Sequence, residues 1–158
     1  MPFERIALWL FTLNLGVVFG AGVYEARISF ARWLGPSHAA PLGWHAEEAR
    51  RDDVGRRFWG LTTTVPLTLL VLVNTFFAFT IRSAAPASAH VPLVLACGAG
   101  FIDRALTFGY FIPKMVKLLA AEDSEEARAR AKEWGMLNYV RLACVAVGWV
   151  AATQALVG

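Results

Sequence analysis

The chain is poor in the residues that usually mark a metal or redox centre. It has three histidines and two cysteines among 158 residues. His38, His45 and His90 fall in loops or at a helix end, and none sits mid-helix. A haem, di-iron or copper site inside a helix bundle draws on several such residues, or on Glu-x-x-His pairs. Neither a metal nor a cofactor is therefore expected. Cys97 and Cys144 lie in apolar stretches outside any CxxC or CxxH spacing. They read as small buried hydrophobes, with a bridge at similar depth left open. No P-loop, GxGxxG or Ser-His-Asp pattern occurs, and FGAGVYE is too glycine-poor for a dinucleotide fingerprint. No Lys/Arg run has the form of a nucleic-acid arm, so nucleic acid is not an expected partner.

Charge is scarce as well, at 17% of residues, while 57% are hydrophobic. A soluble domain carries about 25% charged residues. The apolar excess is gathered into four runs, Ile6 to Val23, Phe58 to Ile81, Val91 to Ile112 and Trp134 to Val157. Each is long enough, at about 20 residues, to cross a bilayer. The first run lacks a small-x-small cleavage site and reads as a retained helix rather than a signal peptide.

These runs predict an all-α, integral membrane, antiparallel four-helix bundle in one domain, residues 1–158. The helices are expected at about 3–33, 54–81, 91–118 and 124–157. Gly35-Pro36 and Pro41 end the first. Pro66 and Pro113 predict kinks in the second and third. Glu47-Glu48 against Arg50-Arg51 predicts a short amphipathic turn, and Asp123 to Glu126 a capping box for the fourth helix. Arg27, Arg32, Arg50, Arg51, Arg56, Arg57, Lys114, Lys117, Arg128, Arg130 and Lys132 lie in or beside two loops; the termini and the 82–90 linker hold Arg5 and Arg82. By the positive-inside rule, loops 34–53 and 119–133 are cytoplasmic in a multi-pass cell-membrane protein.

Glu25, Asp103, Arg104 and Arg141 fall within the apolar spans. A charge in hydrocarbon costs at least about 2.5–3.5 kcal/mol, so such groups turn to a partner helix or a cavity. A rise of about 1.5 Å per residue places all four in the cytoplasmic half of the bundle. Trp59, Tyr110 and Asn138 are expected in the same layer. Ala21, Glu25 and Ser29 share one helical row; Trp134, Asn138 and Arg141 share another. Plain structural glue accounts for the charges if Glu25 pairs with Arg104 or Arg141 and Asp103 with the other. Trp33, Trp44 and Trp149 read as an interfacial belt or packing, with Tyr24 set apart by its place beside Glu25. Gly16-x-x-x-Gly20 reads as a close helix contact.

FGAGVYEA in the first helix, YFIPKMVKL in the third and EWGMLNYVRLACVAVGWVAA in the fourth resemble a family of small four-helix membrane proteins that includes the anthrone oxygenases of polyketide pathways. Pro113 followed by Trp134, Leu137, Asn138 and Arg141 carries the family's C-terminal pattern. Oxygenase-type members often have His at the position of Asn138, and Pro-Thr-Asn where this chain has Pro113-Lys114-Met115. The resemblance implies a cofactor-independent oxygenase acting on a hydrophobic polycyclic or phenolic substrate. Glu25 would be the base, Arg104 and Arg141 would stabilise the anion, and Asn138 and Tyr110 would orient the carbonyl. Trp59 and Trp134 would line the pocket, with Asp103 among the binding residues.

Two other readings stand beside it. One is a non-enzymatic binder of lipid or another hydrophobic molecule, or a subunit of a membrane complex, with Arg104 and Arg141 holding a phosphate or carboxylate. The other is a minimal transporter or channel subunit, which four helices would support only as a homo-oligomer. Membrane lipids and a hydrophobic small molecule are the expected partners.

Overall fold

A computed structural model describes residues 2–80 and 87–158, apart from the side chains of Arg56 and Ala87. Ile81, Arg82 and the linker up to Pro86 lie outside the described residues. The chain is an all-α antiparallel bundle of four long helices with a fifth, short one in a connection. Helix α1 runs Phe3–Trp33 and α2 is Ala46–Asp52. Helix α3 comprises Gly55–Thr64 and Val65–Thr80. Helix α4 comprises Ala87–Leu106, Thr107–Phe111 and Ile112–Ala120. Helix α5 is Glu125–Val157. The four long helices are each long and apolar enough to cross a membrane, and the chain is a multi-pass membrane protein.

Cross-helix contacts give the register. Asn74 near the end of α3 donates to the Ala7 carbonyl near the start of α1, at 3.2 Å. Asn14 donates to the Thr62 carbonyl at 3.1 Å. Rising numbers on α1 thus meet falling numbers on α3. On the other side, Trp134 of α5 donates to the Phe111 carbonyl of α4 at 3.2 Å. With no hydrophobic drive between helices in lipid, close packing and interhelical hydrogen bonds hold such a bundle. Small residues make the contact close: a Cβ at Gly22 would overlap Leu142, and one at Gly135 would overlap Phe30. Gly16 abuts Trp149, whereas a Cβ at Gly20 would meet nothing within 4 Å, so only half of the expected Gly-x-x-x-Gly pair makes a contact. Leu61, Phe76, Phe79, Val116 and Val147 point outward, as a lipid-facing surface requires.

Two apolar clusters divide the interior. One contains Phe11, Leu15, Val18, Leu67, Val71, Ala96, Cys97 and Val145. The other contains Phe30, Trp33, Trp44, Phe111, Leu118, Ala131 and Trp134. Trp33 and Trp44 are packed inside this second cluster rather than in a belt. Cys97 and Cys144 are both free thiols.

Three of the four spans contain a π-helical stretch: Glu25–Ser29, Gly55–Thr64 and Thr107–Phe111. Two of these stretches have a proline two residues after their end, Pro66 and Pro113. A proline lacks its N–H, so a carbonyl one turn earlier loses its donor. The Thr62 carbonyl, four residues before Pro66, takes the Asn14 amide instead. Wider turns of this kind recur at functional sites.

The two loops at one end of the bundle form a single structure. Asp123 accepts hydrogen bonds from the backbone N–H groups of Leu42 and Trp44, each at 2.8 Å. Trp44 Nε1 donates to the Leu118 carbonyl at 3.0 Å, and Arg50 donates to the Leu119 carbonyl. The fourth long helix is therefore capped by Ser124, which accepts from Ala127 N at 3.1 Å, and not by Asp123. The expected capping box fails because Asp123 is taken by backbone about eighty positions earlier in the chain. Asp52 accepts from Trp33 Nε1 and Arg32, and so ties α2 to the end of α1.

Candidate functional site

Between the two apolar clusters lies a layer of polar side chains drawn from all four spans. Glu25, Asp103, Arg104, Thr107, Asn138 and Arg141 are each buried, and Asp103 and Asn138 are wholly so, at 0% exposure. Glu25 comes from α1, Trp59 from α3, Asp103, Arg104 and Thr107 from α4, and Asn138 and Arg141 from α5. The i, i+3 spacing of Asn138 and Arg141 puts both on one face.

Asp103 is the hub. Its Oδ2 accepts from Arg104 Nε at 3.0 Å and also from Arg104 Nη2. Its Oδ1 lies 3.8 Å from Arg141 Nε, an ion-pair distance too long for a hydrogen bond. Thr107 Oγ1 accepts from both guanidiniums, at 3.5 Å from Arg104 Nη2 and 3.4 Å from Arg141 Nη1. Arg104 Nη1 also donates to the Thr64 carbonyl at 3.3 Å, next to the α3 proline. The glue pattern expected from the sequence is thus corrected: one carboxylate serves both arginines. It does so because Asp103 and Arg104 are sequence neighbours on α4 while Arg141 faces them from α5.

Glu25 stands apart from that pairing. Trp59 Nε1 donates to its Oε1 at 3.0 Å, and among the described residues no cation comes within 4 Å of its carboxylate. Arg141 packs on the same indole, its Cζ 5.7 Å from the Trp59 ring and 4.8 Å from the Phe111 ring. Trp59 is therefore shared by the carboxylate and the guanidinium, hydrogen-bonded to one and facing the other with its ring. Counting Glu25, Asp103, Arg104 and Arg141, two negative and two positive groups make a layer of zero formal charge.

Several polar atoms here have no hydrogen-bond partner: both amide atoms of Asn138, Asp103 Oδ1 and Arg141 Nε. Buried polar groups are normally satisfied, and each exception calls for an explanation. The set combines donors, Asn138 Nδ2 and Arg141 Nε, with acceptors, Asn138 Oδ1 and Asp103 Oδ1. It matches a group that both gives and takes hydrogen bonds, such as a hydroxyl or water, better than a bare anion.

Two predicted residues lie elsewhere. Tyr110 is turned out of the layer; its hydroxyl donates to Glu133 at 3.1 Å and its ring faces Lys114. The π-helical turn Thr107–Phe111 holds one residue more than an α turn, which brings Phe111 inward and swings Tyr110 out. Trp134 sits one level away, its ring 5.2 Å from that of Phe30 at a 30° tilt and edge-on at 5.4 Å to Phe111. It supports the floor beneath Arg141 rather than lining the polar layer. Tyr24, beside Glu25, is 62% exposed and faces away. Sequence reasoning missed Thr107 and Phe111. For Thr107 the available signal was its four-residue spacing from Asp103; Phe111 is brought inward by the π-helical stretch.

Among the described residues no group of three or more His, Cys, Asp or Glu side chains converges as a metal site. Compared with protein-family models, curated proteins and solved structures, the chain matches none.

Proposed function

We propose that this buried layer binds a hydrophobic, hydroxyl-bearing aromatic molecule, and that the chain is a cofactor-independent oxygenase of the anthrone-oxygenase type. The observation that carries the reading is the division of labour among the charges. Asp103 occupies both arginines, which leaves Glu25 held by a single hydrogen bond from Trp59. A carboxylate not locked to a cation is free to take a proton.

In this reading Glu25 removes a proton from the acidic CH2 of an anthrone. The resulting enolate carbon adds O2, and the peroxide oxygen takes a proton. Loss of water from the hydroperoxide leaves a ketone, so that ArCH2Ar + O2 gives ArC(=O)Ar + H2O. Proton transfer from a neutral carbon acid to Glu25 leaves the formal charge of the layer at zero, because the enolate replaces the carboxylate. Arg141, between Trp59 and Phe111, lies where it can stabilise the enolate and peroxide oxygens. Asn138 and Asp103 offer hydrogen bonds to the phenolic hydroxyl. The two aromatic residues Trp59 and Phe111 suit a flat ring system.

The same balance weighs against a lipid phosphate between Arg104 and Arg141, since both guanidiniums already face Asp103. We further assign the end formed by residues 34–53 and 119–133 to the cytoplasmic side of the cell membrane, on the bias of Lys and Arg toward that end.

The test is oxygen uptake by the purified protein in liposomes with 1,8-dihydroxyanthrone as probe. One O2 consumed and one quinone formed per anthrone, with the rate lowered about 10²–10⁴-fold in Glu25→Gln, is the expected result. Uptake no faster than in empty liposomes, or full turnover by a folded Glu25→Gln, would overturn the assignment.

A further inference from the structure

A cavity lies away from the polar layer, where α4 ends and α5 begins. It encloses about 230 Å³ and is lined by Lys114, Lys117, Leu118, Ser124, Glu126, Ala127 and Arg130, among others. Its floor is apolar, made by Leu118 and Ala127, both buried. Its rim is cationic. Arg130 is paired with Glu126 at 2.5 Å, so the one acidic lining residue is neutralised within the rim. Lys114 and Lys117 make no ion pair among the described residues; the Lys114 ammonium stands over the Tyr110 ring, at 5.5 Å. The formal charge of the lining is therefore about two positive. Lys114 and Lys117 are three residues apart, on one face of the last turns of α4.

The height of the cavity decides what it takes. The apolar span that contains Lys114 and Lys117 ends at Ala120, and the next helix begins at Glu125. Lys114 and Lys117 thus lie in the last turns of that span, where long cationic side chains reach toward the level of lipid headgroups. Basic pockets between helices at this level recognise anionic headgroups. We infer that this cavity is a binding site for the phosphate of an anionic phospholipid, with Lys114 and Lys117 as the phosphate ligands and Leu118 and Ala127 against the glycerol and upper acyl chain. The site is separate from the layer around Asp103 and does not depend on what that layer does.

The experiment is native mass spectrometry of the full chain released from mixed nanodiscs of phosphatidylglycerol and phosphatidylcholine. Phosphatidylglycerol should be retained in preference, as a one-to-one adduct. In Lys114→Gln/Lys117→Gln that preference should fall about 30-fold. Arg27→Gln/Lys132→Gln removes the same charge from exposed positions outside the cavity and should leave it intact. An equal loss in both double variants would reduce the effect to general surface charge and overturn the site. Displacement of the bound lipid by millimolar inorganic phosphate alone would identify a free-phosphate site and overturn the headgroup assignment. Both double variants are checked for folding by their thermal transition in the same nanodiscs; the lysines are at the bundle's edge, and unchanged transitions are expected.

Discussion

Asp103→Asn removes the one negative charge that faces two buried guanidiniums. Both arginine side chains are about 8% exposed and the carboxylate is wholly covered. Taking one partner from a buried ion pair typically costs about 3–5 kcal/mol, because the remaining charge is left uncompensated. Here two charges lose their partner at once. The formal charge of the layer goes from zero to one positive, while the amide that replaces the carboxylate keeps an acceptor for Arg104 Nε. A loss of about 4 kcal/mol is expected, which lowers the folding equilibrium constant about a thousandfold. Reversible unfolding in mixed micelles, with helicity as the signal, measures it. Asp103→Asn/Arg104→Gln returns the layer to zero formal charge, with Glu25 and Arg141 as the remaining ions. The double variant is expected to recover about half of the loss, so the coupling is about 2 kcal/mol plus whatever Arg104→Gln costs alone. A loss below about 1 kcal/mol in the single variant, or simple additivity in the double, would refute the view that the charges form one balanced cluster.

Other substitutions separate the roles of neighbouring residues. Asn138→Leu exchanges two unpartnered amide atoms for an apolar group of similar volume, so stability should stay within about 1 kcal/mol of the parent, while retention of a phenolic ligand is lost in equilibrium dialysis. Phe111→Leu takes the ring from under Arg141 and should destabilise by about 1–2 kcal/mol. Tyr110→Phe removes only a hydrogen bond to an exposed glutamate and should change the same unfolding curve by less than about 0.5 kcal/mol. Asp123→Ala releases two backbone donors of the 34–53 loop, each bond to a charged acceptor contributing about 1.5–3 kcal/mol; trypsin should then cut at Arg50 or Arg51 at least tenfold faster, with the four spans still intact on a gel.

The sequence makes the scaffold legible because a bilayer leaves few options. Twenty apolar residues in a row can satisfy their backbone only as a helix, and four such runs with short connections pack as a bundle. The polar layer is legible for the same reason. Glu25, Asp103, Arg104 and Arg141 have no stable place against lipid, and depth counted along each helix puts them at one level. What lies beyond that is set by geometry that periodicity does not encode. A π turn inserts one residue without changing composition, so the inward position on α4 passes from Tyr110 to Phe111. Pairing within the layer depends on helix rotation, and the same four charges permit Glu25 to face an arginine as readily as Trp59. Asp123 shows the limit in a different way: its local context fits a helix cap, but its partners, the amides of Leu42 and Trp44, come from a distant loop.

The central claim is that Glu25 lies inside the bundle against Trp59, with Arg141 over the ring of the same indole. The indole N–H resonance of Trp59, observed by ¹⁵N NMR of the protein in nanodiscs, reports on it directly. The account predicts a slowly exchanging proton whose shift moves in Glu25→Gln and again in Arg141→Gln. A resonance that ignores both substitutions would contradict it.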